Sequence, residues 1–136
     1  MKKFFLDTNI LIDLVDPARE NHSDIVEFLL SWDINSIYLS TLSAHIAFYV
    51  LKIDLNTKQY KDLKSFLGSI NLISLTDNIV TGALNIGYPD FEDSLQYLSA
   101  IKHCDYILTR DKKDFDKIKK LSPSNVSIVS DFKNIK

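Results

Sequence analysis

The feature that most limits the possible folds is an alternation of short apolar runs with longer segments of helical periodicity. The runs are rich in β-branched and aromatic residues, which is typical of parallel strands covered on both faces. The expected strands are residues 3–6, 36–39, 72–75, 106–108 and 126–129. Because helical segments separate them, the connections are right-handed crossovers. The sequence therefore predicts an α/β fold, a three-layer α/β/α sandwich with a mainly parallel sheet of about five strands.

Residues suited to helix N-termini mark where the helices begin. Ser23 is expected to cap one helix, Thr57, Thr76 and Asp90 three others, and Ser40, Thr41 or Ser43 a very apolar one. The expected helices are residues 9–15, 23–32, about 41–53, 58–69, about 77–85, 91–102 and about 112–121. Because no repeat, low-complexity tract or linker interrupts this pattern, we expect a single domain over residues 1–136.

Charge and cysteine content exclude several classes of protein. The net charge of −2 excludes binding to nucleic acid through bulk positive charge, so any such contact must be local. Cys104 is the only cysteine, which excludes an intrachain disulfide and a Cys-based zinc site. No apolar run approaches the length of a membrane span, and Asp7 interrupts the N-terminal apolar run where a signal peptide would continue. We expect a cytoplasmic protein that makes no membrane contact.

Three aspartates occupy the positions where sites form in parallel sheets. Asp7 follows the first expected strand, Asp111 follows the fourth, and Asp93 lies in the first turn of the preceding helix. Binding sites of open parallel sheets lie at the carboxyl ends of the strands. We therefore expect these carboxylates to converge within a few ångströms of one another.

Converging carboxylates repel one another unless a cation or a shared proton lies between them. Hard oxygen ligands without thiolates or paired imidazoles favour Mg²⁺ or Mn²⁺ over zinc. Such a site is suited to hydrolysis of phosphodiester bonds. The simpler alternative is that each aspartate only caps a helix.

Three ordered motifs resemble those of one nuclease family. Residues 5–13, FLDTNILID, resemble the opening of the PIN-domain nucleases, and residues 108–115, LTRDKKDF, resemble their closing acidic motif. Residues 90–96, DFEDSLQ, resemble the central acidic helix of that family. The resemblance covers nearly the whole chain.

The resemblance implies cleavage of RNA that depends on Mg²⁺ or Mn²⁺. In bacteria it commonly implies the toxin of a VapBC-type pair, restrained by a small antitoxin protein, and a homodimer. It assigns the metal-binding, catalytic carboxylates to Asp7, Asp93 and Asp111, and nearby polar support to Asn9 or Thr109. Apolar side chains on the second and third expected helices support the homodimer.

One position departs from the family pattern. A glutamate usual early in the helix after the second strand is absent, and His45 or Ile46 stands in its place. His45 could ligate Mn²⁺ through a ring nitrogen, or simply be satisfied on the first helical turn. Glu92 could substitute, although it lies about 100° around the helix from Asp93. The alternative function is a catalytically weakened PIN-like module that binds RNA or a protein.

A basic segment follows the closing motif. Arg110, Lys112 and Lys113 are the nearest candidates for contacts with RNA phosphates, and Lys117, Lys119 and Lys120 follow them. The alternative is a solvated helix balanced by Asp114 and Asp116.

Overall fold

Five short parallel strands form the centre of the computed structural model, which describes residues 1–135 apart from the side chain of Asn134. The strands are β1 (Phe4–Leu6), β2 (Ile37–Ser40), β3 (Asn71–Ile73), β4 (Tyr106–Leu108) and β5 (Ser127–Val129). Their order is β3-β2-β1-β4-β5, and every pairing is parallel. The predicted α/β fold with a five-stranded parallel sheet is confirmed.

Helices connect the strands and cover both faces of the sheet. They are α1 (Thr8–Val15), α2 (His22–Ser31), α3 (Thr41–Leu51), α4 (Lys58–Ser69), α5 (Asp77–Ile86), α6 (Phe91–Ile101) and α7 (Lys112–Leu121). Short 3₁₀ turns lie at Ile34–Ser36 and Phe132–Asn134. Among residues 1–135, no helix has both the length and the apolar character needed to cross a membrane.

Alternation of side chains along β1 separates two layers of the core. Phe4 and Leu6 point to one face, where they pack among side chains of α1 to α4. Phe5 points to the other face and packs against α6 and α7. Because successive side chains of a strand point to opposite faces, a fully buried strand requires apolar residues at every position. This is why β1 is apolar throughout.

The capping residues predicted from the sequence are mostly the ones observed. The side chains of Thr57, Thr76 and Asp90 accept hydrogen bonds from the first turns of α4, α5 and α6. Ser23 was predicted wrongly: α2 begins at His22, and its N-cap residue Asn21 makes no side-chain capping bond. The apolar periodicity of this helix determined its existence, whereas its first turn is not held by a cap.

The start of α6 is set by a sharp change of chain direction. Gly87 ends α5 with φ at 72°, a left-handed conformation that glycine adopts without steric cost. Pro89 and the capping residue Asp90 follow, so α6 begins at Phe91. This arrangement places Asp93 in the first turn of α6.

Candidate active site

Asp7 lies at the end of β1 and is almost completely buried, at 3% exposure. Its Oδ1 accepts a hydrogen bond from the backbone N–H of Thr8 at 2.8 Å, and its Oδ2 accepts one from the Thr109 hydroxyl at 2.7 Å. Burial raises the pKa of Asp7 to about 6 because it disfavours the charged form. Repulsion from Asp111 and Glu92 adds to the rise, although the two hydrogen bonds oppose it. The surroundings of Asp7 thus disfavour the charged form of its carboxylate.

Thr109 and Asn9 connect Asp7 with Asp111. Besides donating to Asp7, the Thr109 hydroxyl accepts from the backbone N–H of Asp111 at 2.9 Å. Asn9 Nδ2 donates to Asp111 Oδ2 at 3.2 Å, and Asn9 Oδ1 accepts from the Arg110 N–H at 3.4 Å. Both residues predicted to give polar support therefore contact the acids, and they hold the segment after β4 against the start of α1.

Asp93 lies in the first turn of α6, where its backbone N–H donates to Asp90 Oδ1 at 3.0 Å. Its side chain is buried, and burial raises its pKa to about 8. Repulsion from Asp7 is the next cause, and other carboxylates, including Asp111, add to it. This repulsion indicates that Asp93 faces the same edge of the sheet as Asp7 and Asp111.

Helix capping accounts for only part of the placement of these three aspartates. Asp111 precedes α7 but makes no side-chain capping bond. Asp93 is inside α6, where Asp90 is the cap. Asp7 does accept from Thr8, yet its second oxygen is turned toward Thr109 of a different element. Capping therefore explains one oxygen of Asp7, but neither its second oxygen nor the side chains of Asp93 and Asp111.

Glu92 also approaches this edge. Burial raises the pKa of its carboxyl, repulsion from Asp90 adds to the rise, and the influence of the Thr8 hydroxyl opposes it. Glu92 is exposed, and repulsion between it and both Asp7 and Asp111 contributes to the raised pKa values.

A buried polar network that was not predicted from the sequence lies near the acids. Gln96 is fully buried on α6 and bonds to Thr8, Ser40 and Ser43, which are also buried. The sequence did contain an indication of this network, because Gln96 follows Asp93 by three residues and therefore lies on the same side of α6. A glutamine among the apolar positions of a core-facing helix needs polar partners.

His45 does not reach the acids. It is exposed on α3, whereas Ser43 is buried and contacts Thr8. An offset of two residues turns His45 about 200° around the helix from Ser43. Ile46 lies only about 60° from Ser43 and is partly buried. The position facing the acids is therefore Ile46, and α3 contributes no charged group there.

Of Arg110, Lys112 and Lys113, the first two are engaged in ion pairs. Arg110 Nε lies 2.9 Å from Oδ2 of the buried Asp13. Lys112 pairs with Asp116 at 2.8 Å. Lys113 is exposed, and it forms no ion pair with any other residue among 1–135. The side chain most available to a phosphate is thus Lys113.

The donor set fits a hard divalent cation, although the carboxylates meet less closely than expected. Within residues 1–135, no three His, Cys, Asp or Glu side chains form a ready ligand group. Asp111 is exposed, whereas Asp7 and Asp93 are buried. Mg²⁺ typically takes one or two carboxylates and retains several waters, so it does not require a closed cage. The pKa values of Asp7 and Asp93 are raised because burial and neighbouring carboxylates disfavour their charged forms, and a bound cation would offset that cost.

The family model described as the PIN domain matches residues 4–121, which include all these acids. The chain belongs to the PIN domain family. A curated relative, Ribonuclease VapC1 of Aquifex aeolicus (strain VF5), is 33% identical over 120 residues, covering 82% of this chain and 83% of the relative. The resemblance inferred from the three motifs is thereby confirmed.

Solved structures share the PIN fold of this chain. FitAcB from Neisseria gonorrhoeae matches with a TM-score of 0.72 and 18% identity, over 97% of this chain and 99% of that one. A toxin-antitoxin complex from Klebsiella pneumoniae matches with a TM-score of 0.70 and 22% identity, over 94% and 97%. At these identities the likeness shows the fold alone, and the α/β/α arrangement of the PIN domain is common to all three.

Proposed function

We propose that this protein is a VapC-type endoribonuclease that depends on Mg²⁺ or Mn²⁺. The observation that carries the proposal is the set of hydrogen bonds by which Thr109 and Asn9 join Asp7, after β1, to Asp111, after β4. The raised pKa values of Asp7 and Asp93 support it, because each carboxyl contributes to the pKa rise of the other or of its neighbours. The relative named Ribonuclease VapC1 supports RNA as the substrate.

In this proposal the three aspartates hold the cation. Thr109 holds the Asp7 carboxylate and the backbone of Asp111, and Asn9 orients the Asp111 carboxylate. When bound, the cation supplies positive charge that makes water a stronger nucleophile and offsets charge on the phosphate. Lys113 binds an RNA phosphate beside the acids, whereas Arg110 and Lys112 contribute less because their ion pairs compete.

The partner in this proposal is a small antitoxin protein. Several solved neighbours are complexes of this kind, among them a toxin-antitoxin complex from Klebsiella pneumoniae. An antitoxin is needed because an unrestrained nuclease would degrade the RNA of its own cell. We place the protein in the cytoplasm, where its substrate lies and where its single cysteine, Cys104, would stay reduced.

The test is a cleavage assay on a structured RNA with Mn²⁺, with Mg²⁺ and with excess chelator. We expect cleavage with either ion and none with chelator, because the carboxylates alone bring no positive charge to the phosphate. Binding of RNA without cleavage under all three conditions would instead identify a PIN-like binding module.

We further propose a homodimer that forms through α3. Tyr49 is 78% exposed on this helix, Val50 beside it is 48% exposed, and Leu55 just beyond the helix is 70% exposed. Large exposed apolar side chains grouped on one element are typical of partner surfaces.

Sedimentation tests the homodimer. The parent protein is expected to sediment as a dimer at micromolar concentration, and Tyr49→Glu as a folded monomer, because the introduced charge would be buried without a partner. Leu121→Glu is the matched control, since Leu121 is also exposed but lies on α7. A monomeric parent, or a dimer unaffected by Tyr49→Glu, would contradict the proposal.

Adding an acid to α3 is expected to strengthen the cation site. Ile46→Glu should tighten Mn²⁺ binding by about tenfold, because a further carboxylate deepens the local negative potential. His45→Glu is the control and should change affinity little, since His45 is exposed on the other side of α3. Calorimetric titration of both variants with Mn²⁺ measures the difference. Equal effects would show that Ile46 does not face the acids.

A further inference from the structure

One buried carboxylate of this chain has no part in the proposed cation site. Asp13 lies on α1 with 1% exposure, and its Oδ2 is 2.9 Å from Nε of Arg110. The contact is an ion pair without the alignment of a hydrogen bond, and this oxygen forms no hydrogen bond with any residue among 1–135. A buried carboxylate is costly unless a positive charge lies beside it. Arg110 is the residue that supplies that charge to Asp13.

Arg110 belongs to residues 109–111, which connect β4 with α7 and include Asp111. The side chain of Asp111 is exposed, and it makes no capping bond to α7. Neither burial nor capping therefore fixes this acid. A side chain that is free to move must be ordered when it binds a ligand, and this ordering lowers the affinity. Contacts that hold residues 109–111 in place before a cation binds would therefore strengthen its binding.

Helix α1 holds these residues at two positions that lie one helical turn apart. Asn9 Oδ1 accepts a hydrogen bond from the backbone N–H of Arg110 at 3.4 Å, and Asn9 Nδ2 donates one to Asp111 Oδ2 at 3.2 Å. Asp13 follows Asn9 by four residues, so it lies on the same side of α1, where it pairs with the Arg110 guanidinium. The backbone and the side chain of Arg110 are thus both attached to one face of α1.

Of these attachments to α1, the ion pair is the one that is shielded from solvent. The two hydrogen bonds of Asn9 are long and lie at the surface, so water competes with them. The side chain of Asp13 is only 2% exposed, which weakens the screening of its attraction to Arg110. Packing alone does not require such a pair, because apolar residues of similar volume often stabilise a buried position equally well.

We propose that Asp13 and Arg110 are positioning residues of the nuclease site: their ion pair fixes residues 109–111 to α1 and so preorganises Asp111 to bind the cation. The inference rests on the proposed function, since it assumes that Asp111 is a cation ligand. It gives Arg110 a role beyond the RNA contact that was predicted from the sequence. Asp13 acts through Arg110 and does not itself contact the cation.

The sign of the change in Mn²⁺ affinity separates positioning from a simple effect of charge. The positive charge of Arg110 repels a cation, so its removal in Arg110→Met would tighten Mn²⁺ binding if charge alone mattered. Loss of positioning acts in the opposite direction, because residues 109–111 must then be ordered when the cation binds. We expect calorimetry to show that Arg110→Met weakens Mn²⁺ binding about tenfold. Arg110→Lys keeps a charge that can pair with Asp13 and should restore most of the affinity.

Asp13→Asn completes a double-mutant cycle, because it keeps the shape of the side chain and removes its charge. This variant should also bind Mn²⁺ about tenfold more weakly, and the double variant should lose about as much as either single one, since all three lack the same ion pair. Arg19→Met is the matched control and should keep the parent affinity. Arg19 also pairs with an aspartate, Asp16 at 3.3 Å, and is 42% exposed, but this pair lies at the C-terminal end of α1.

A merely structural role of the pair gives a different result. Arg110→Met would then lower the melting temperature while Mn²⁺ affinity stayed constant or increased, and this result overturns the inference. Losses that multiply in the double variant overturn it as well, because they would show that the two residues act independently. If Arg110 instead contacts RNA, Arg110→Met should raise KM for RNA and Asp13→Asn should lower it at constant Mn²⁺ affinity, which also overturns the inference.

The double variant keeps the test decisive if Arg110→Met does not fold. That single variant leaves Asp13 as an unpaired buried charge, whereas Asp13→Asn with Arg110→Met contains no such charge. Mn²⁺ affinity of the double variant equal to that of the parent would overturn the inference. Asp7→Asn separates the two proposals, because unchanged Mn²⁺ binding in that variant would overturn the cation site itself. Weakened binding there, together with parent affinity in the double variant, would overturn only the role of the ion pair.

Discussion

Replacement of Asp7 by asparagine is expected to reduce RNA cleavage about a thousandfold, which corresponds to roughly 4 kcal/mol of lost transition-state stabilisation. Asp7 is the most buried of the three acids, and its two oxygens are already oriented by Thr8 and Thr109. Asparagine has nearly the same shape but carries no charge to bind a cation. Rates measured at saturating Mn²⁺ on one RNA would give the effect.

The same substitution should stabilise the protein when no metal is present. At pH 7.5 the parent must keep a charged Asp7 in a buried place, whereas asparagine removes that cost. Asp62→Asn is the control for loss of a carboxylate, since Asp62 is an exposed partner of Lys58. It should leave both cleavage and stability nearly unchanged. An Asp7→Asn protein that still cleaves RNA at the parent rate would exclude Asp7 from the site.

The free energy of unfolding of the metal-free protein is expected to fall as pH rises from about 4 to 8. In the unfolded chain an aspartate loses its proton near pH 4, but the folded pKa is about 6 for Asp7 and about 8 for Asp93. Between these values the folded state binds more protons than the unfolded state, so stability decreases with pH. The contribution is fully present below pH 4. Asp7 alone corresponds to a loss of roughly 3 kcal/mol by pH 7.

Mn²⁺ should reverse this trend, because a cation binds the ionised carboxylates and favours the folded state that holds them together. Urea unfolding at pH 5, 6, 7 and 8, with chelator and with millimolar Mn²⁺, measures the pH dependence of stability and its reversal by the cation. In Asp7→Asn the decrease between pH 4 and 6 should shrink, while Asp62→Asn should match the parent. Stability that rises with pH in chelator would contradict the assignment of raised pKa values to these acids.

Much of the candidate site could be predicted from the sequence, because its positions follow from local rules. Parallel strands end at one edge, so acids directly after β1 and β4 must share that edge. Asp90 caps α6, and this places Asp93 one turn into the helix. Asn9 and Thr109 are close neighbours of Asp7 and Asp111 along the chain, so their contacts with those acids could be expected.

The roles of other residues depended on how the helices pack. Arg110 lies between Thr109 and Asp111 in sequence, but its guanidinium pairs with the buried Asp13 of α1. His45 and Ile46 are adjacent in sequence, and the sequence alone left open which of them faces the acids. The rotation of α3 about its axis decides this, because its buried face packs toward α1 and α6.

The sequence by itself therefore determined the fold class, the PIN motifs and the shared edge of Asp7, Asp93 and Asp111. Only the tertiary structure decided that Gln96 bonds to Thr8, 88 residues away, and to Ser40, 56 residues away. Capping and strand alternation act over a few residues, so they can be recognised in the local sequence pattern. Contacts between distant side chains depend on the distance and angle between packed helices, which no local pattern specifies.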